Sequence, residues 1–515
     1  MTIKKILPLI SAISVLGISA QAAEYMITYY NADGRLVYVK SIDRSTDTDI
    51  SEYISHYTTE DTKKIKVHKL DNSIWETYTA AEAEAKDNLF YTEKAPNVTD
   101  EMCRAEYWIG EDSNDLVLSY GEIKEVNRRI MDKKETMMND LDNLSENYNS
   151  KEMAQSLASF ESLNEIFLNG DLVDESYYEA IRENIRNAEL KDNENVRYGI
   201  CTTRTVLKAY PYDEWLSDSE WDKEWDNFVN TAVLVGEPVV LYNSTEDGKF
   251  IYAKIACCEG WINADAVAVC RDKAEWTKAK THESFLVVTG ERVWLEASYD
   301  TDLSGKQLTM GTVLELADSV DFAETNRLDW NNYKVKMPVR NADGSYVAKT
   351  ALISANRDVN IGYLPYTSGN VIKQAFKSLG NRYGWGGMLD SQDCSSFVRE
   401  VYLCFGFELP RNTTWQAIMP VDVTDISGMT DNEKKVVLDN TPAGAILIWP
   451  GHEMIYLGER NGLYYTINNV SSLVSAAAPE DGIIRPRSVI VNDLSTLRGN
   501  GTEWISNLAS VVVVH

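Results

Sequence analysis

The sequence predicts a multidomain protein that ends in an α+β domain, and patterns in three parts of the chain support this. The 515 residues are enough for several domains. Apolar residues recur at helical spacing from about 99 to 192, and short strands with turns fill 193–362. Helical segments and then strands fill 363–515. A helical region, two small β-barrels and an α+β domain are the simplest account.

The N-terminal residues 1–22 have the pattern of an export signal. Lys4 and Lys5 form a short positive region, residues 6–19 are mostly apolar, and Ala20-Gln21-Ala22 fits a small-x-small cleavage site. The apolar stretch is short for a membrane span, and no later segment is long enough for one. We therefore expect a periplasmic or secreted protein, without an integral membrane segment once the signal is removed.

The next region, residues 23–98, begins with strand residues on either side of an Asp33-Gly34 turn. We predict a small α/β region here and assign it no role. The helical region follows at 99–192. Ser119 and Glu122 form a capping box before an apolar face, and a helix is expected to end at Gly170.

Two barrels are predicted, at 193–275 and 276–362. The first contains two strands around Asp247-Gly248, and the second repeats this scheme around Asp343-Gly344. In the last domain, 363–515, "AILIW", "EMIYLG" and "LYYTINN" read as strands.

The net charge of −29 argues against nucleic acid or anionic lipid as a partner, because both need clustered Lys and Arg. Seven cysteines leave at least one unpaired within the chain. A disulfide is possible within one cluster of cysteines, although its pairing is open: Cys201, Cys257, Cys258 and Cys270. With five histidines and no CxxC, a zinc site is not expected.

Cys394 stands where a nucleophile would be expected. Asp393 can cap the helix that begins there, and the first-turn amides and helix dipole favour a thiolate. A lone cysteine is more often a small buried apolar residue, so position alone does not establish catalysis.

A cysteine nucleophile needs a base, and His452 is the one strong candidate because it lies in the same domain, at the start of a strand. The following strand offers Asn468 or Asn469 to orient its ring. An even separation favours Asn468, whereas a two-residue loop at Asn461-Gly462 favours Asn469, so spacing leaves the choice open.

Taken together, "YGWGG…DCSSFVREVY…LPRNTTWQ", "GHEMIYLG" and "YYTINN" resemble the NlpC/p60 family of papain-like cell-wall peptidases. This resemblance implies a papain-like catalytic domain at 363–515, with Asn468 as the third catalytic residue and Tyr383 as an oxyanion ligand. Ser396 replaces the usual glycine, and Asn468 stands where the family often has His. The earlier segments resemble the helical clip region and two bacterial SH3-like domains of one family branch.

The resemblance further implies hydrolysis of murein stem peptides between γ-D-glutamate and a diamino acid, expected to be meso-diaminopimelate. In the SH3-bearing branch a free N-terminal L-Ala is preferred. Asp393 would then receive its ammonium, with Ser395 and Thr413 nearby, and the alternative is that Asp393 only caps the helix. No metal or organic cofactor is required, and a monomer is expected.

Other functions are compatible with the same motifs. The catalytic domain could have become an inactive murein-peptide binding protein, although intact Cys394 and His452 argue against this. The thiol could also serve a transpeptidase or a lipid amidase on the same fold.

Overall fold

The computed structural model describes residues 23–30, 36–43, 64–69, 74–78 and 93–515, apart from 163–164, 223, 319–324, 326 and 475–481. The chain divides into two compact units, Met1–Glu93 and Lys94–His515. The predicted export signal and the turn at Asp33-Gly34 lie outside the described residues.

The first unit contains an antiparallel sheet in the order β2-β1-β3-β4. Its strands are β1 (Ala23–Tyr30), β2 (Leu36–Asp43), β3 (Lys64–Lys69) and β4 (Ile74–Tyr78). β1 and β2 pair antiparallel, so the two strands of the predicted hairpin are confirmed.

The second unit begins with the predicted helical region. Its helices are α1 (Ala105–Trp108), α2 (Tyr120–Asp132), α3 (Ser150–Leu157) and α4 (Glu175–Arg186). The predicted capping box is present, because Ser119 accepts the Glu122 amide while the Glu122 carboxylate accepts the Ser119 amide. One apolar face of α2 is buried, as the spacing predicts.

The prediction of a helix that ends at Gly170 is wrong, because residues 167–172 form a hairpin. Asn169 and Gly170 have φ values of 56° and 95°, which a tight hairpin turn requires and a helix does not permit. The short strands of this region are β5 (Asn147–Tyr148), β6 (Phe167–Leu168), β7 (Asp171–Leu172) and β8 (Glu194–Asn195). β6 pairs with β7, and β5 with β8.

A seven-stranded sheet follows, in the order β12-β10-β15-β14-β13-β9-β16. The strands of this region are β9 (Arg197–Cys201), β10 (Thr205–Lys208), β11 (Leu216–Ser217), β12 (Val229–Val233), β13 (Pro238–Ser244), β14 (Phe250–Ile255), β15 (Cys258–Asn263) and β16 (Val267–Val269). β11 joins β6 instead of this sheet. β13 and β14 confirm the predicted strands around Asp247-Gly248.

Helix α5 (Lys273–Lys280) leads into a region of smaller sheets. These are β20-β17-β23, β18-β19 and β21-β22. The strands are β17 (Phe285–Val288), β18 (Arg292–Trp294), β19 (Gln307–Thr309), β20 (Val313–Glu315), β21 (Asn332–Arg340), β22 (Tyr346–Ser354) and β23 (Val359–Ile361). The predicted turn at Asp343-Gly344 joins β21 to β22. The SH3-like character of residues 193–362 stays a prediction.

The C-terminal region is α+β, with helices first and an antiparallel sheet after them. The helices are α6 (Ser368–Phe376), α7 (Cys394–Leu403), α8 (Thr413–Gln416), α9 (Asp431–Asp439) and α10 (Trp504–Asn507). The strands are β24 (Asp422–Asp425), β25 (Ile446–Trp449), β26 (His452–Arg460), β27 (Leu463–Val470), β28 (Leu473–Val474), β29 (Ile483–Ile484), β30 (Ser488–Asp493) and β31 (Ser510–Val513). The main sheet has the order β24-β31-β25-β26-β27-β30, and β28 pairs with β29.

Helix α7 is buried in the centre of this region. Its side chains share one apolar core with α6, with the sheet and with α2 of the helical region. Tyr465 of β27 donates a hydrogen bond to the Asn97 carbonyl at 2.9 Å, and its ring packs on Trp108 at 5.2 Å. The helical region is therefore built onto the C-terminal domain.

The glycine pair that precedes Cys394 docks onto the seven-stranded sheet. Gly386 and Gly387 have φ values of 62° and 93°. A Cβ atom at Gly386 would lie 2.4 Å from the Val229 carbonyl oxygen, and one at Gly387 would lie 2.5 Å from Ala232 Cβ. Both positions thus require glycine, for backbone angle and for space, and β12 is brought beside the start of α7.

Candidate active site

Cys394 is the first residue of α7, and Asp393 is the N-cap. Asp393 accepts the Ser396 amide at 2.8 Å, and the Ser396 hydroxyl accepts the Asp393 amide at 2.8 Å. Ser396, which departs from the family's glycine, therefore completes a capping box. The Cys394 amide lies in the first turn, where a helix supplies no carbonyl partner, and is available to a ligand.

Asp393 also forms a buried ion pair with Arg411. Arg411 donates from Nη2 to Asp393 Oδ2 at 2.6 Å and from Nη1 to Oδ1 at 3.3 Å. Burial opposes ionisation of this carboxyl, but Arg411 and the Ser396 bonds hold its pKa below the ordinary value. The cap role is therefore observed. The expected ammonium role would require a substrate to share a carboxylate already engaged by Arg411.

His452, the first residue of β26, contacts Asn468 on β27, with 3.0 Å between His452 Nε2 and Asn468 Oδ1. Two features set this pairing. Arg460 pairs with Leu463, so the loop has two residues, but the register shifts between Tyr456 and Gly458. This β-bulge converts the pairing that would favour Asn469 into one that presents Asn468.

The orientation of the imidazole is supported from behind. Asn468 donates from Nδ2 to Asn492 Oδ1 at 2.7 Å, so its Oδ1 faces His452. His452 must then donate from Nε2, which leaves Nδ1 unprotonated and able to accept a proton. The rings of Trp449 and Trp504 flank the imidazole at 5.0 and 5.6 Å.

The residue after His452 lies near the candidate nucleophile, because the backbone of Glu453 lowers the pKa of the Cys394 thiol. Among the described residues, the His452 ring has a hydrogen bond to Asn468 and none to the sulfur. Catalytic contacts of this kind often tighten only when substrate binds.

The pKa shifts at the site differ from what the sequence predicted, which was a thiolate that forms easily at Cys394. Burial raises the pKa of the Cys394 thiol, and the nearby carboxyls of Asp393 and Glu453 raise it further. Burial also lowers the pKa of His452 to about 4. Burial therefore favours the neutral form of both groups, a thiol at Cys394 and an imidazole at His452.

Tyr383 lies near the sulfur and is held by the neighbouring sheet region. Its ring stacks on Trp225 with centroids 5.7 Å apart and planes 3° from parallel. Burial, Cys394 and Asp393 raise the pKa of Tyr383 well above its ordinary value, so the phenol keeps its proton. A neutral hydroxyl is a hydrogen-bond donor, as an oxyanion ligand must be.

A cleft of about 750 Å³ joins these residues. Cys394, Tyr383 and the predicted substrate-binding residues Asp393, Ser395 and Thr413 all line it, as does Gly451, which precedes His452. The wall opposite includes charged and polar side chains from the first predicted barrel: Asn230, Lys254 and Glu259. The fold thus brings together the candidate nucleophile, the oxyanion candidate and the substrate-binding candidates.

Arg411 and Glu453 have no role predicted from the sequence. Arg411 was visible in the "LPRNTTWQ" motif, but its pairing with Asp393 depends on the loop before α8. Glu453 directly precedes the apolar run 454–457 of β26, and that contrast was the available signal.

All seven cysteines are free thiols in the structure, so the disulfide considered for the 201–270 cluster does not form. Within the described residues, no three His, Cys, Asp or Glu side chains are grouped so that they could hold a metal ion. Likewise, the described part of the chain contains no helix with the length and apolarity that crossing a membrane would need.

Comparison with known proteins identifies the domain that holds this site. Residues 380–490 match the model of the NlpC/P60 family. Among curated proteins, none matches the sequence.

One solved structure shows a similar fold over most of the chain. An NlpC/P60 endopeptidase from Photobacterium damselae subsp. piscicida has a TM-score of 0.62 and 16% identity, over 79% of this chain and 96% of its own. An NlpC/P60 family protein from Bacillus cereus has a TM-score of 0.42 and 16% identity, over 62% and 99% of the two chains. The chain is thus a multidomain α+β protein with an NlpC/P60 family domain at residues 380–490.

Proposed function

We propose that the protein is an exported cysteine endopeptidase that hydrolyses the bond between γ-D-glutamate and a diamino acid in murein stem peptides. The observation that carries this proposal is the placement of Cys394 in a cleft that Gly451 also lines, together with the hydrogen bond between His452, the residue after Gly451, and Asn468 on the adjacent strand. Membership of residues 380–490 in a family of cell-wall peptidases supports the substrate class.

The neutral resting pair supports a general-base route to the nucleophile. As Cys394 Sγ attacks the γ-carbonyl carbon, its proton passes to His452 Nδ1, and Asn468 stabilises the imidazolium that forms. The imidazolium then protonates the leaving amine, which yields a thioester. Water, deprotonated by His452, hydrolyses that thioester and restores the thiol.

The negative oxygen of each tetrahedral intermediate needs donors that are already in place. The Cys394 amide in the first turn of α7 and the Tyr383 hydroxyl are the proposed donors. Each such donor commonly contributes about 3 kcal/mol to transition-state stabilisation.

The proposed substrate is a peptide with a free N-terminal L-Ala and with meso-diaminopimelate as the diamino acid. Asp393, Ser395 and Thr413 line the cleft where the N-terminal part would bind. Asp393 would have to accept the ammonium while it remains paired with Arg411. The export signal supports a periplasmic or secreted site of action.

A defined tripeptide tests the proposal. The protein should release meso-diaminopimelate from L-Ala-γ-D-Glu-meso-diaminopimelate, leave a free γ-carboxyl, and act more slowly once the N-terminus is acylated. Cys394→Ala should abolish release and keep the melting temperature within a few degrees. Activity that persists in Cys394→Ala contradicts the mechanism, and a new amide in place of the carboxyl indicates acyl transfer.

A further inference from the structure

Glu453 is a buried carboxyl group with no visible partner. It follows His452 in β26 and has no exposed surface. Neither Oε1 nor Oε2 has a hydrogen-bond partner among the described residues. A buried polar group without a partner is costly, and an unpaired buried charge is far more costly, so the position calls for an explanation.

The surrounding charges favour the neutral form of this carboxyl. Asp393 and Arg411 are the charged groups that shift the pKa of Glu453. Asp393 raises it, Arg411 lowers it, and the effect of Asp393 is the larger. Arg411 is already bound through two nitrogens to Asp393. An ionised Glu453 would therefore be a second anion beside one cation, without a hydrogen bond to stabilise it.

The titratable and charged groups on the packed elements are few. The start of α7 contributes Asp393 and Cys394, its last turn contributes Tyr402, and the loop before α8 contributes Arg411. The neighbouring strand β25 is entirely apolar, with Ile448 paired to Glu453. The sulfur of Cys394 is thus the one group of the proposed reaction on which Glu453 acts directly.

A hydrogen-bond acceptor is also available for the protonated form of Glu453. The antiparallel register that pairs Ile455 with Ile467 would set Glu453 opposite Asn469, since Glu453 lies two residues before the first and Asn469 two residues after the second. Asn469 is buried, and its Oδ1 likewise has no donor among the described residues. A protonated carboxyl can donate to an amide oxygen, whereas an ionised one cannot.

We propose that Glu453 is a positioning residue that works as a neutral carboxylic acid, and that its ionisation suppresses formation of the Cys394 thiolate. Burial, followed by Asp393, raises the pKa of Glu453 to about 8, so the proton is lost just above neutral pH. Above that pH Glu453 carries a negative charge near the sulfur. This charge opposes the formation of a second negative charge on Cys394. The inference rests on the proposed function only in taking Cys394 as the nucleophile.

The test compares wild type with Glu453→Gln, which keeps the shape and removes the ionisation. Alkylation of Cys394 by iodoacetamide is followed by mass spectrometry of the Cys394 peptide from pH 6 to 9. The two proteins should react within about twofold at pH 6, where both side chains are neutral, and Glu453→Gln should react about threefold to tenfold faster at pH 9. Alkylation needs no peptide hydrolysis, so this result stands even if the proposed substrate is wrong.

Glu400→Gln is the matched control. Glu400 is a buried acid on α7, the helix that begins with Cys394. Burial raises its pKa to about 7, but unlike Glu453 it accepts a hydrogen bond, from Gln392. This variant should leave the pH dependence of alkylation as in wild type. Glu453→Met, also uncharged, replaces Glu453→Gln if the latter melts early. A rate ratio between variant and wild type that stays constant from pH 6 to 9 would overturn the proposal.

Discussion

His452 Nε2 lies 3.0 Å from Asn468 Oδ1, whereas the adjacent Asn469 turns to another part of the domain. Asn469 donates from Nδ2 to the Gln392 carbonyl at 2.7 Å, in the segment that leads to Cys394. Two successive asparagines therefore have separate tasks. Asn468 contacts the imidazole of His452, and Asn469 holds the backbone before Cys394.

This division predicts different kinetics for two alanine variants. Asn468→Ala should lower kcat by at least about tenfold, because the imidazole loses the partner that fixes its tautomer. Asn469→Ala should lower kcat less and the melting temperature more, because the Gln392 carbonyl loses one of its two donors and keeps only the Gly384 amide. Steady-state kinetics and thermal melting of both variants check this. The reverse order in kcat would mean that Asn469 orients the base in solution.

Tyr383→Phe should lower kcat by about a hundredfold with little change in KM, because its hydroxyl is proposed to contact the oxyanion only after attack. The ring keeps its stack on Trp225, so the fold should be unaffected. Kinetics on the tripeptide measure the effect. Trp225→Leu is the companion variant, and it should lower kcat less because the hydroxyl remains. A rise in KM alone for Tyr383→Phe would place the residue in substrate binding.

Arg411→Met should destabilise the protein by about 3–5 kcal/mol, because it leaves the buried Asp393 carboxylate unpaired. Arg128→Met is the control. Its ion pairs with Glu125 and Asp132 are exposed, so its effect on the free energy of unfolding should be far smaller than that of Arg411→Met. Urea unfolding of both variants gives the comparison. Adding Asp393→Asn to Arg411→Met should recover part of the loss, and no recovery would contradict the pairing.

The lowered pKa of His452 predicts an unusual acid limb for kcat/KM. The base must be neutral to accept the thiol proton, so activity should fall only as pH approaches about 4, instead of near the ordinary histidine value of 6.5. The Asn468 hydrogen bond favours the protonated ring, so Asn468→Ala should move the limb to still lower pH. A pH profile of kcat/KM tests both shifts. An acid limb near 6.5 would show that the site is wetter than this structure indicates.

The free energy of unfolding should also depend on pH through His452, over the range between its unfolded and folded pKa values. Its folded pKa lies below its unfolded value, so the unfolded chain binds the proton more tightly between about pH 6.5 and 4. The free energy of unfolding should therefore decrease as pH falls through this range. The decrease should be smaller in His452→Gln, measured by urea unfolding at pH 6.5 and 4.5. An equal decrease in both proteins would assign it to other groups.

Local patterns in the sequence predicted much of the catalytic domain. Capping at Asp393, the apolar face of α7 and the order of the strands after it depend on near neighbours along the chain, and periodicity reports them. The prediction of a helix that ends at Gly170 was wrong because it rested on the local pattern alone. A glycine at positive φ serves a helix end and a hairpin turn equally well, and the pairing of β6 with β7 decided between them.

The sequence by itself determined which chemistry is present: a cysteine at a helix start, a histidine at a strand start, and asparagines on the next strand. Only the tertiary structure decided which asparagine contacts His452, because a one-residue bulge reverses the faces of a strand and leaves no clear mark in composition. It also decided the charge states. Burial shifts the pKa values of Cys394, His452 and Glu453, and it depends on packing among segments far apart in the chain.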